Sequence, residues 1–459
     1  MTYPLRSTFA SLAILAAIVH ASLAAKPTEL LWQQGSTDLP DWVRNQVVYE
    51  INVRQYSEAG TFAAVEADLD RIKALGAGIL WLMPIHPIGE VNRKGPLGSY
   101  YSVKDYMGIN PEFGNKEDFR FFVEAAHSRG LRVILDWVGN HSAWDNPLAS
   151  SHPEFYMTDA SGSFIPPLGF DWTDVIQLDF NNPDLLEYQI KAMRYWVTEF
   201  GIDGYRCDYA TGVPTAFWNT LCAALLETRP DLFLLAEAEV PDHQLKAFHA
   251  SYGWPLMHAF NAIAQGKQPA SHLDVIETHM DLLFPHGSDF LLMTSNHDEN
   301  SWLGTVQERL GGGAAVFAAL TFVMDGIPLI YNGQEAGLNK RLKFFERDPI
   351  DWQPHPLNGL YQTLCALKQS HSALATGAPV SRVPSTDNAR VYSLLRHTDT
   401  GKVLLVANLT ADNINEVSLG HQLLEGNWAD ALTGEPVSLS ASPSFELPSW
   451  TFKLLVQGD

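Results

Sequence analysis

Four short polar segments of the sequence each follow an apolar run, and each carries acidic side chains. They are Asp136-Trp-Val-Gly-Asn140-His141, Asp203-Gly-Tyr-Arg206-Cys-Asp208, Ala236-Glu237-Ala-Glu239 and Asn296-His297-Asp298. Acids that meet in one closed site are costly unless cations pair with them or a reaction uses them. The segments therefore predict a site for nucleophilic or acid–base chemistry by carboxyl groups, with Arg206 as the cation beside them.

The strand that contains Arg206 also indicates which of its neighbours share the site. Side chains alternate between the two faces of a strand, so Arg206 and Asp208 face one way and Cys207 faces the other. If the pair looks into the site, Cys207 packs outward as a structural thiol. The other cysteines, Cys222 and Cys365, form no metal-like spacing and are interpreted as buried thiols, with a Cys222–Cys365 bridge as the open alternative.

Strand-like runs alternate with helical patterns between about residues 46 and 375. The runs are Val47–Val53, Gly78–Met83, Leu131–Asp136, Ile202–Asp208, Leu232–Glu237, Phe290–Ser295 and Pro328–Tyr331, and a weaker eighth is expected near Leu256–Phe260. Helical spacing marks Lys116–Ser128 and Leu185–Glu199 between them. Eight strand–helix repeats predict an α/β fold, a (β/α)8 TIM barrel with its active site at the carboxyl ends of the strands. A doubly wound open sheet is the alternative, but no glycine-rich phosphate turn follows the first strand.

Segments of different composition flank the barrel and give the domain boundaries. We expect a signal peptide over residues 1–25, a catalytic barrel over 26–140 and 183–378, a short excursion domain over 141–182 after the third strand, and a C-terminal β-sandwich domain over 379–459. The excursion is rich in Pro, Ser, Gly, Asp and Trp and is too long for an ordinary βα loop. The C-terminal part has strand-like runs separated by turn residues, which is typical of an all-β domain.

The composition and the N-terminus restrict the partners and the location. The 459 residues carry a formal net charge of −22 and no basic run, which argues against nucleic acid, because phosphate binding needs clustered Lys and Arg. Arg6, the apolar stretch Phe9–Leu23 and the small residues Ala24 and Ala25 are typical of a signal peptide. We therefore expect export to the periplasm or the medium, with no membrane attachment after cleavage. The sequence indicates no oligomeric state.

The four polar segments, in this order, resemble the four short motifs of the α-amylase superfamily, glycoside hydrolase family 13. Further similarities are Tyr49–Tyr56 on the first strand, Gly98–Tyr106, and Tyr331–Glu335 on the last strand. The resemblance extends over about residues 40 to 459. It implies a secreted α-amylase-like hydrolase that cleaves α-1,4-glucosidic bonds in malto-oligosaccharides or starch through a covalent glycosyl-enzyme intermediate.

The resemblance also implies a role for each residue of the motifs. Asp208 matches the nucleophile, Glu237 the general acid/base, Asp298 the third carboxylate, Arg206 the partner of the nucleophile, His141 and His297 the histidines that bind sugar hydroxyls, Tyr101 the aromatic residue that stacks under the sugar, and Asp136 a residue that shapes the site. Retaining glycosidases need one ionised and one protonated carboxyl about 5–5.5 Å apart. We expect Arg206 to hold the pKa of Asp208 low, and the apolar run before Glu237 to favour its protonated form.

Alternatives stay open for single roles and for the activity. Glu239 could replace Glu237 as the acid, Glu299 is the alternative third carboxylate, and Tyr100 is the alternative stacking residue. An exo-acting α-glucosidase or an α-glucan transglycosylase would use the same catalytic residues. Outside the enzymes, the alternative is a non-catalytic carbohydrate-binding homologue, which the intact set of three acids disfavours.

The sequence departs from the family pattern beyond the nucleophile. Many calcium-binding α-amylases have a Lys–His pair there, and the histidine supplies a backbone carbonyl to calcium; this chain has Thr211 and Gly212. The reaction itself requires no cofactor. The resemblance leaves Ca²⁺ open, with Asn140 as the candidate ligand. The same change removes groups expected to bind the sugar beyond the cleavage point, so endo action is not implied.

Overall fold

Eight parallel strands form a closed barrel in the structure, a computed structural model that describes residues 37–459. In chain order the strands are β1 (Val48–Ile51), β2 (Ile79–Leu82), β3 (Arg132–Val138), β4 (Gly204–Asp208), β5 (Phe233–Ala236), β6 (Ala250–Tyr252), β7 (Asp289–Leu292) and β8 (Ile327–Tyr331). Each strand pairs in parallel with the next, and β8 pairs with β1 to close the ring. The predicted TIM barrel is therefore confirmed. The predicted signal peptide lies outside the described residues.

Alternating side chains of the strands fill the interior of the barrel. One buried cluster contains Val48, Ile79, Ile134, Leu235 and Leu329, which lie at inward positions of five different strands. Residues of the opposite parity, such as Cys207, belong to the larger cluster that packs the strands against the helices. The predicted outward direction of Cys207 on β4 therefore agrees with the structure. All three cysteines are buried and unpaired, and the alternative bridge between Cys222 and Cys365 is not formed.

Helices connect the strands and cover the outside of the barrel. They span Val53–Tyr56, Phe62–Glu66, Leu69–Leu75, Lys116–Ser128, Leu148–Ser151, Pro183–Phe200, Thr215–Thr228, Trp254–Ala264, His272–Leu283, Val306–Leu310, Ala314–Val323 and Pro356–Ser370. The longest has a local reason for each end: Asn182 caps its first turn, and Gly201 terminates it with a left-handed φ of 71°. Among the described residues, no helix is long and apolar enough to cross a membrane.

The expected position of the eighth strand was wrong. Leu256–Phe260 is part of the helix Trp254–Ala264, and the strand at this point in the barrel is β6, which ends four residues before Leu256. The strand has only three residues, so its composition gives no run to detect. The helix has Pro at its start, which suits a first helical turn, and its apolar residues were mistaken for a buried strand.

Glycine is required where β4 begins, next to β5. Gly204 has a φ of 158°, and a Cβ there would lie 1.9 Å from the carbonyl oxygen of Phe233. A side chain at this point would push the two strands apart. The close approach keeps β4 in register with β5, with Arg206 opposite Leu235. It therefore helps to place Arg206 and Asp208 at the rim.

Two further parts complete the chain. An antiparallel pair of short strands, His141–Ala143 and Val175–Gln177, closes the excursion after β3. The C-terminal part is all β: a sheet of six strands in the order Val380–Arg382, Val391–His397, Gly401–Asn408, Phe452–Gly458, Gly426–Asp430 and Pro436–Leu439, and a separate pair, Ile414–Ser418 with Ser444–Leu447. Their inner faces share one hydrophobic cluster, which is separate from the barrel interior.

Candidate active site

The barrel brings the acids of the four polar segments to one rim. Asp136 lies within β3, Asp208 is the last residue of β4, Glu237 directly follows β5, and Asp298 follows β7. All four lie at the carboxyl ends of parallel strands, where TIM barrels carry their active sites. Asp208, Glu237 and Asp298 line the same open cleft, whose volume is about 420 Å³.

Arg206 is the centre of the site. Its Nη1 donates to Oδ1 of Asp136 at 2.8 Å and to Oδ1 of Asp208 at 3.0 Å, and its Nη2 lies 2.8 Å from Oε2 of Glu237. The guanidinium is fully buried, and the ring of Trp81 lies 5.1 Å from it. One planar cation therefore spans the two carboxyls assigned to nucleophile and acid. A shared guanidinium fits the short spacing of about 5–5.5 Å that retaining glycosidases use.

The charge balance of this cluster differs from the expectation for Asp208. Burial raises the pKa of the Asp208 carboxyl well above its usual value, although the adjacent Arg206 acts in the opposite direction. Burial likewise raises the pKa of Asp136 to about 6. The prediction that Arg206 would hold the pKa of Asp208 low was wrong, because one guanidinium serves three carboxyls in a desolvated place. Such a cluster favours keeping one proton among its acids, and retaining hydrolysis needs one protonated and one ionised carboxyl.

The two histidines at the rim have opposite charge states. Burial lowers the pKa of His141 to about 4, so its imidazole is neutral at pH 7. Burial would also lower the pKa of His297, but Asp298 and Glu50 raise it to about 9. His297 Nε2 lies 2.7 Å from the hydroxyl of Tyr101 and 3.4 Å from Oδ2 of Asp298. His297 is therefore an imidazolium between two groups assigned to the sugar.

Tyr101 and Asp136 connect this histidine to Arg206. The Tyr101 hydroxyl lies 3.2 Å from Oδ2 of Asp136, and Trp81 donates from Nε1 to the same oxygen at 3.2 Å. The ring of Tyr101 is stacked on His297, with centroids 5.4 Å apart. Tyr101 thus lies in the cleft with its hydroxyl anchored, as a residue that stacks under a sugar must be.

Tyr209, the residue after Asp208, binds Glu237 through its backbone. Tyr209 has φ 37° and ψ 47°, a left-handed conformation that costs a residue with a side chain about 1–3 kcal/mol. In this conformation its backbone N–H donates to Oε2 of Glu237 at 2.7 Å. The strained turn therefore fixes Glu237 relative to Asp208, which directly precedes Tyr209.

Aromatic side chains form two walls of the cleft. The wall beside Glu237 consists of Trp172 and Tyr209, edge-on to each other at 5.1 Å, and Phe170, outside the lining, stacks on Trp172. The wall beside Asp298 consists of Trp302, Phe344 and Phe345, and Trp302 donates from Nε1 to Asp298 at 3.1 Å. The full lining is Lys94, Ser99, Tyr101, His141, Asp171, Trp172, Asp174, Val175, Asp208, Tyr209, Glu237, Asp298, Trp302, Phe344 and Phe345.

The alternative residues for single roles lie elsewhere. Tyr100 is buried beneath Arg54 and edge-on to Phe344, outside the cleft lining. Glu239 is exposed and does not line the cleft. Glu299 is buried against Arg309, whose Nη1 lies 3.3 Å away. The cleft therefore holds Tyr101, Glu237 and Asp298 and none of the three alternatives.

The surroundings of Asn140 do not fit a calcium ion. Nε2 of Gln177 donates to both the backbone oxygen of Asn140, at 2.9 Å, and its Oδ1, at 3.2 Å. These are the oxygens that a cation would need, and Ca²⁺ takes six to eight oxygen ligands. Across residues 37–459, no group of three or more His, Cys, Asp or Glu side chains is arranged to hold a metal.

Several residues of the site were not predicted from the sequence. Glu50 of β1 contacts His297, and the hydroxyl of Tyr252 on β6 accepts from Nε of Arg206 at 3.1 Å. Both could have been found, because each alternates with an inward apolar residue on its own strand. The aromatic walls carried no such signal, because their residues lie in the connections after the strands, whose positions depend on tertiary packing.

The fold and the carboxyl arrangement together define a class: a TIM-barrel protein with a glycosidase-type acid site at the strand ends. The chain belongs to the α-amylase family, because residues 42–160 and 167–354 match the family described as "Alpha amylase, catalytic domain". The resemblance stated from the motifs is therefore confirmed.

Three α-amylases are similar to this chain over most of its length. A solved α-amylase from Lactobacillus plantarum has 33% identity and a TM-score of 0.81, covering 91% of this chain and 100% of that one. A solved noncanonic maltogenic α-amylase from Thermotoga neapolitana has 28% identity and a TM-score of 0.83, covering 91% and 99%. The α-amylase MalA of Haloarcula japonica is 27% identical over 394 residues, 82% of this chain and 57% of that protein. The chain thus spans a little more than half of the Haloarcula protein.

Proposed function

We propose that the protein is a retaining glycoside hydrolase that cleaves α-1,4-glucosidic bonds in malto-oligosaccharides or starch. The observation that carries the proposal is the contact of one buried guanidinium, Arg206, with both Asp208 and Glu237 at the mouth of an open cleft. The names of similar proteins, α-amylase and maltogenic α-amylase, support α-glucans as the substrate class.

In the first step, Glu237 gives its proton to the glycosidic oxygen while Asp208 attacks the anomeric carbon. The bond from that carbon to the glycosidic oxygen breaks, the shortened chain leaves with a new hydroxyl, and Asp208 holds the sugar as an ester. The N–H of Tyr209 keeps Glu237 beside this bond. The sugar beyond the cleavage point therefore lies next to the wall of Trp172 and Tyr209.

In the second step, Glu237 acts as the base. It takes a proton from a water molecule, whose oxygen attacks the anomeric carbon and releases Asp208 as a carboxylate. Two inversions leave the product in the α-anomeric form. If a sugar hydroxyl occupies the water's place, the same step becomes transglycosylation, so the competition between water and sugar decides between hydrolysis and transfer.

The remaining residues act on the sugar at the cleavage point. The transition state carries positive charge near the ring oxygen, and Asp298, at the edge of the cleft, favours that charge electrostatically. The neutral His141, which lines the cleft, presents a ring N–H to a sugar hydroxyl, and Tyr101 supplies an apolar face under the sugar. His297 is buried beside the cleft and holds the Tyr101 hydroxyl from Nε2. The second wall, with Trp302 and Phe344, lies on the side of Asp298, where further sugars of the chain would stack.

Incubation of the purified protein with maltoheptaose tests the proposal. We expect shorter malto-oligosaccharides, whose anomeric protons first appear by NMR as the α form. Mixed products early in the reaction indicate endo action, glucose alone indicates exo action, and products longer than seven sugars indicate transfer. The matched control is Asp208→Asn, which should lose turnover by several orders of magnitude with an unchanged circular dichroism spectrum. No cleavage by folded wild-type protein would contradict the proposal and favour a sugar-binding protein.

We also propose export of the protein with removal of the N-terminal segment. The support is the pattern Arg6, Phe9–Leu23 and Ala24 or Ala25. N-terminal sequencing of protein recovered from the periplasm or the medium should begin just after Ala24 or Ala25. Protein that stays in the cytoplasm with its full N-terminus would contradict this proposal.

A further inference from the structure

The buried carboxyl of Glu50, on β1, contacts the active site from inside the barrel. Glu50 faces the barrel interior, two residues after the inward-facing Val48, and its side chain is fully buried. Its Oε1 lies 2.5 Å from Nδ1 of His297 and 3.4 Å from the backbone nitrogen of the same residue. Its other oxygen, Oε2, is buried without a hydrogen-bond partner among the described residues. A glutamate placed so tightly against one imidazole controls the hydrogens of that ring.

The hydrogen bonds beyond the ring indicate which atoms carry those hydrogens. An ionised Glu50 can only accept, so Nδ1 of His297 must donate to it. On the other side, Nε2 lies 2.7 Å from the Tyr101 hydroxyl. That hydroxyl has an acceptor in Oδ2 of Asp136 at 3.2 Å, which leaves its lone pair free to accept from Nε2. Every contact is satisfied when both ring nitrogens carry hydrogen, and the chain of contacts runs on to Arg206 through Asp136.

We propose that Glu50 is a positioning residue that acts through His297: it keeps a hydrogen on both ring nitrogens and directs the Nε2–H to the Tyr101 hydroxyl, beside Asp298 at the wall of the cleft. Glu50 does not line the cleft and so does not touch the substrate itself. The consequence for sugar binding and turnover rests on the proposed function, but the state of the imidazole does not.

The charges around the pair agree with this assignment. The carboxyls of Asp298 and Glu50 face His297, and Arg206 and Asp136 face it from β4 and β3. Burial raises the pKa of Glu50, and His297 and Arg206 oppose that rise. Burial acts to lower the pKa of His297, yet Asp298 and Glu50 raise it to about 9. Arg206, Tyr252 and Tyr331 are the other groups that face Glu50. Without the Glu50 carboxylate, Asp298 alone opposes burial and Arg206, so His297 should lose its proton at a lower pH.

The direct test is the protonation state of the ring in the whole protein. Histidines labelled with ¹⁵N are observed by NMR, and the His297 signals are assigned by their loss in His297→Gln. We expect both ring nitrogens of His297 to be protonated at pH 7.5, with loss of the proton near pH 9. In Glu50→Gln we expect deprotonation at least one pH unit lower. A neutral ring in the wild type, or no change in Glu50→Gln, would overturn the proposal whether or not the protein cleaves glucans.

Kinetics test the functional consequence. We expect Glu50→Gln to lower kcat/KM on malto-oligosaccharides by about 10- to 100-fold, as loss of an orienting carboxylate does elsewhere. We also expect the alkaline limb of the pH profile to move to lower pH. Glu50→Asp, which keeps the charge, should keep the position of that limb. In the His297→Gln background, adding Glu50→Gln should cause no further loss, and a full additive loss would overturn the proposal.

The matched control is a buried glutamate outside the site. Glu335 accepts from the Tyr49 hydroxyl at 2.5 Å and from Arg71 at 2.8 Å, and it has no contact with His297. Glu335→Gln should lower the thermal midpoint without moving the His297 titration or the alkaline limb. An equal shift of the His297 titration in Glu335→Gln would mean that the effect comes from general loss of stability, and would overturn the proposal.

Discussion

Arg206 and Asp208 stand two residues apart on β4, both face the barrel mouth, and Nη1 of the first lies 3.0 Å from Oδ1 of the second. The same guanidinium contacts Asp136 and Glu237, so one buried cation holds three acids together. A retaining mechanism needs a nucleophile and an acid on one bond at short range. The shared contact is the physical basis for both roles, and the predictions below follow from it.

Loss of Arg206 should destabilise the fold. In Arg206→Met, three buried carboxyls lose their cation, and we expect the free energy of unfolding to fall by about 3–5 kcal/mol at pH 8. The deficit should shrink at pH 5, because the carboxyls can then bind protons. Urea unfolding at the two pH values measures both effects. Arg341→Met is the control, since Arg341 pairs with Glu308 on the surface, where such pairs contribute less than about 1 kcal/mol. Equal losses in the two variants would contradict the account.

Loss of the acid should slow reactions that need a proton. We expect Glu237→Gln to cleave maltoheptaose about 10²- to 10⁴-fold more slowly, while α-maltosyl fluoride, whose leaving group needs no proton, still forms the ester on Asp208. Azide should then restore turnover and give α-maltosyl azide, identified by NMR. Glu239→Gln is the control at the same strand end, outside the cleft lining, and should behave like the wild type. Equal loss on both substrates, without rescue, would contradict the role of Glu237.

The acid limb of the pH profile should lie higher than usual for an aspartate. Asp208 must be ionised to attack, and burial raises its pKa, so activity falls as the pH drops through that raised value. We expect the midpoint of the limb in kcat/KM to lie above about 3.9, the pKa of a free aspartate. In Asp136→Asn one neighbouring charge is gone, and the limb of the residual activity should move to lower pH. A limb near pH 4 in the wild type would contradict the charge balance of the cluster.

Removal of divalent metal should have no effect. Nε2 of Gln177 already satisfies both oxygens of Asn140 that a calcium ion would use. After treatment with EDTA and desalting, we expect unchanged activity on maltoheptaose and an unchanged thermal midpoint. Calcium is then added back as the control. A loss that calcium restores and magnesium does not would show a site that involves Asn140 or other residues.

Strand parity and the four polar segments could be used to predict much of the fold and the place of the acids. In the barrel, Arg206 and Asp208 face the site and Cys207 faces the helices, as predicted, because side-chain direction in a strand is a local property. By the same alternation, Glu50 could have been predicted as an inward residue of β1. The three-residue strand β6 was missed, because a run so short gives no pattern.

Other features depend on the folded environment and could not be predicted. The direction of the pKa shift of Asp208 follows from burial among acids of other strands, which neighbouring residues in the sequence do not reveal. The aromatic wall with Trp172 and Tyr209 brings together the excursion and the turn after β4. The left-handed turn at Tyr209 has no signal, because glycine and asparagine are the residues expected there.

The most direct test of the central claim is to trap the covalent intermediate. A 5-fluoro-α-glycosyl fluoride of glucose or maltose slows release of the sugar from the enzyme, so the ester accumulates and is located by digestion and mass spectrometry. The account predicts one sugar per protein, attached to Asp208, and no label in Asp208→Asn. A label on another residue, or cleavage of maltoheptaose to β-anomeric products without any label, would contradict it.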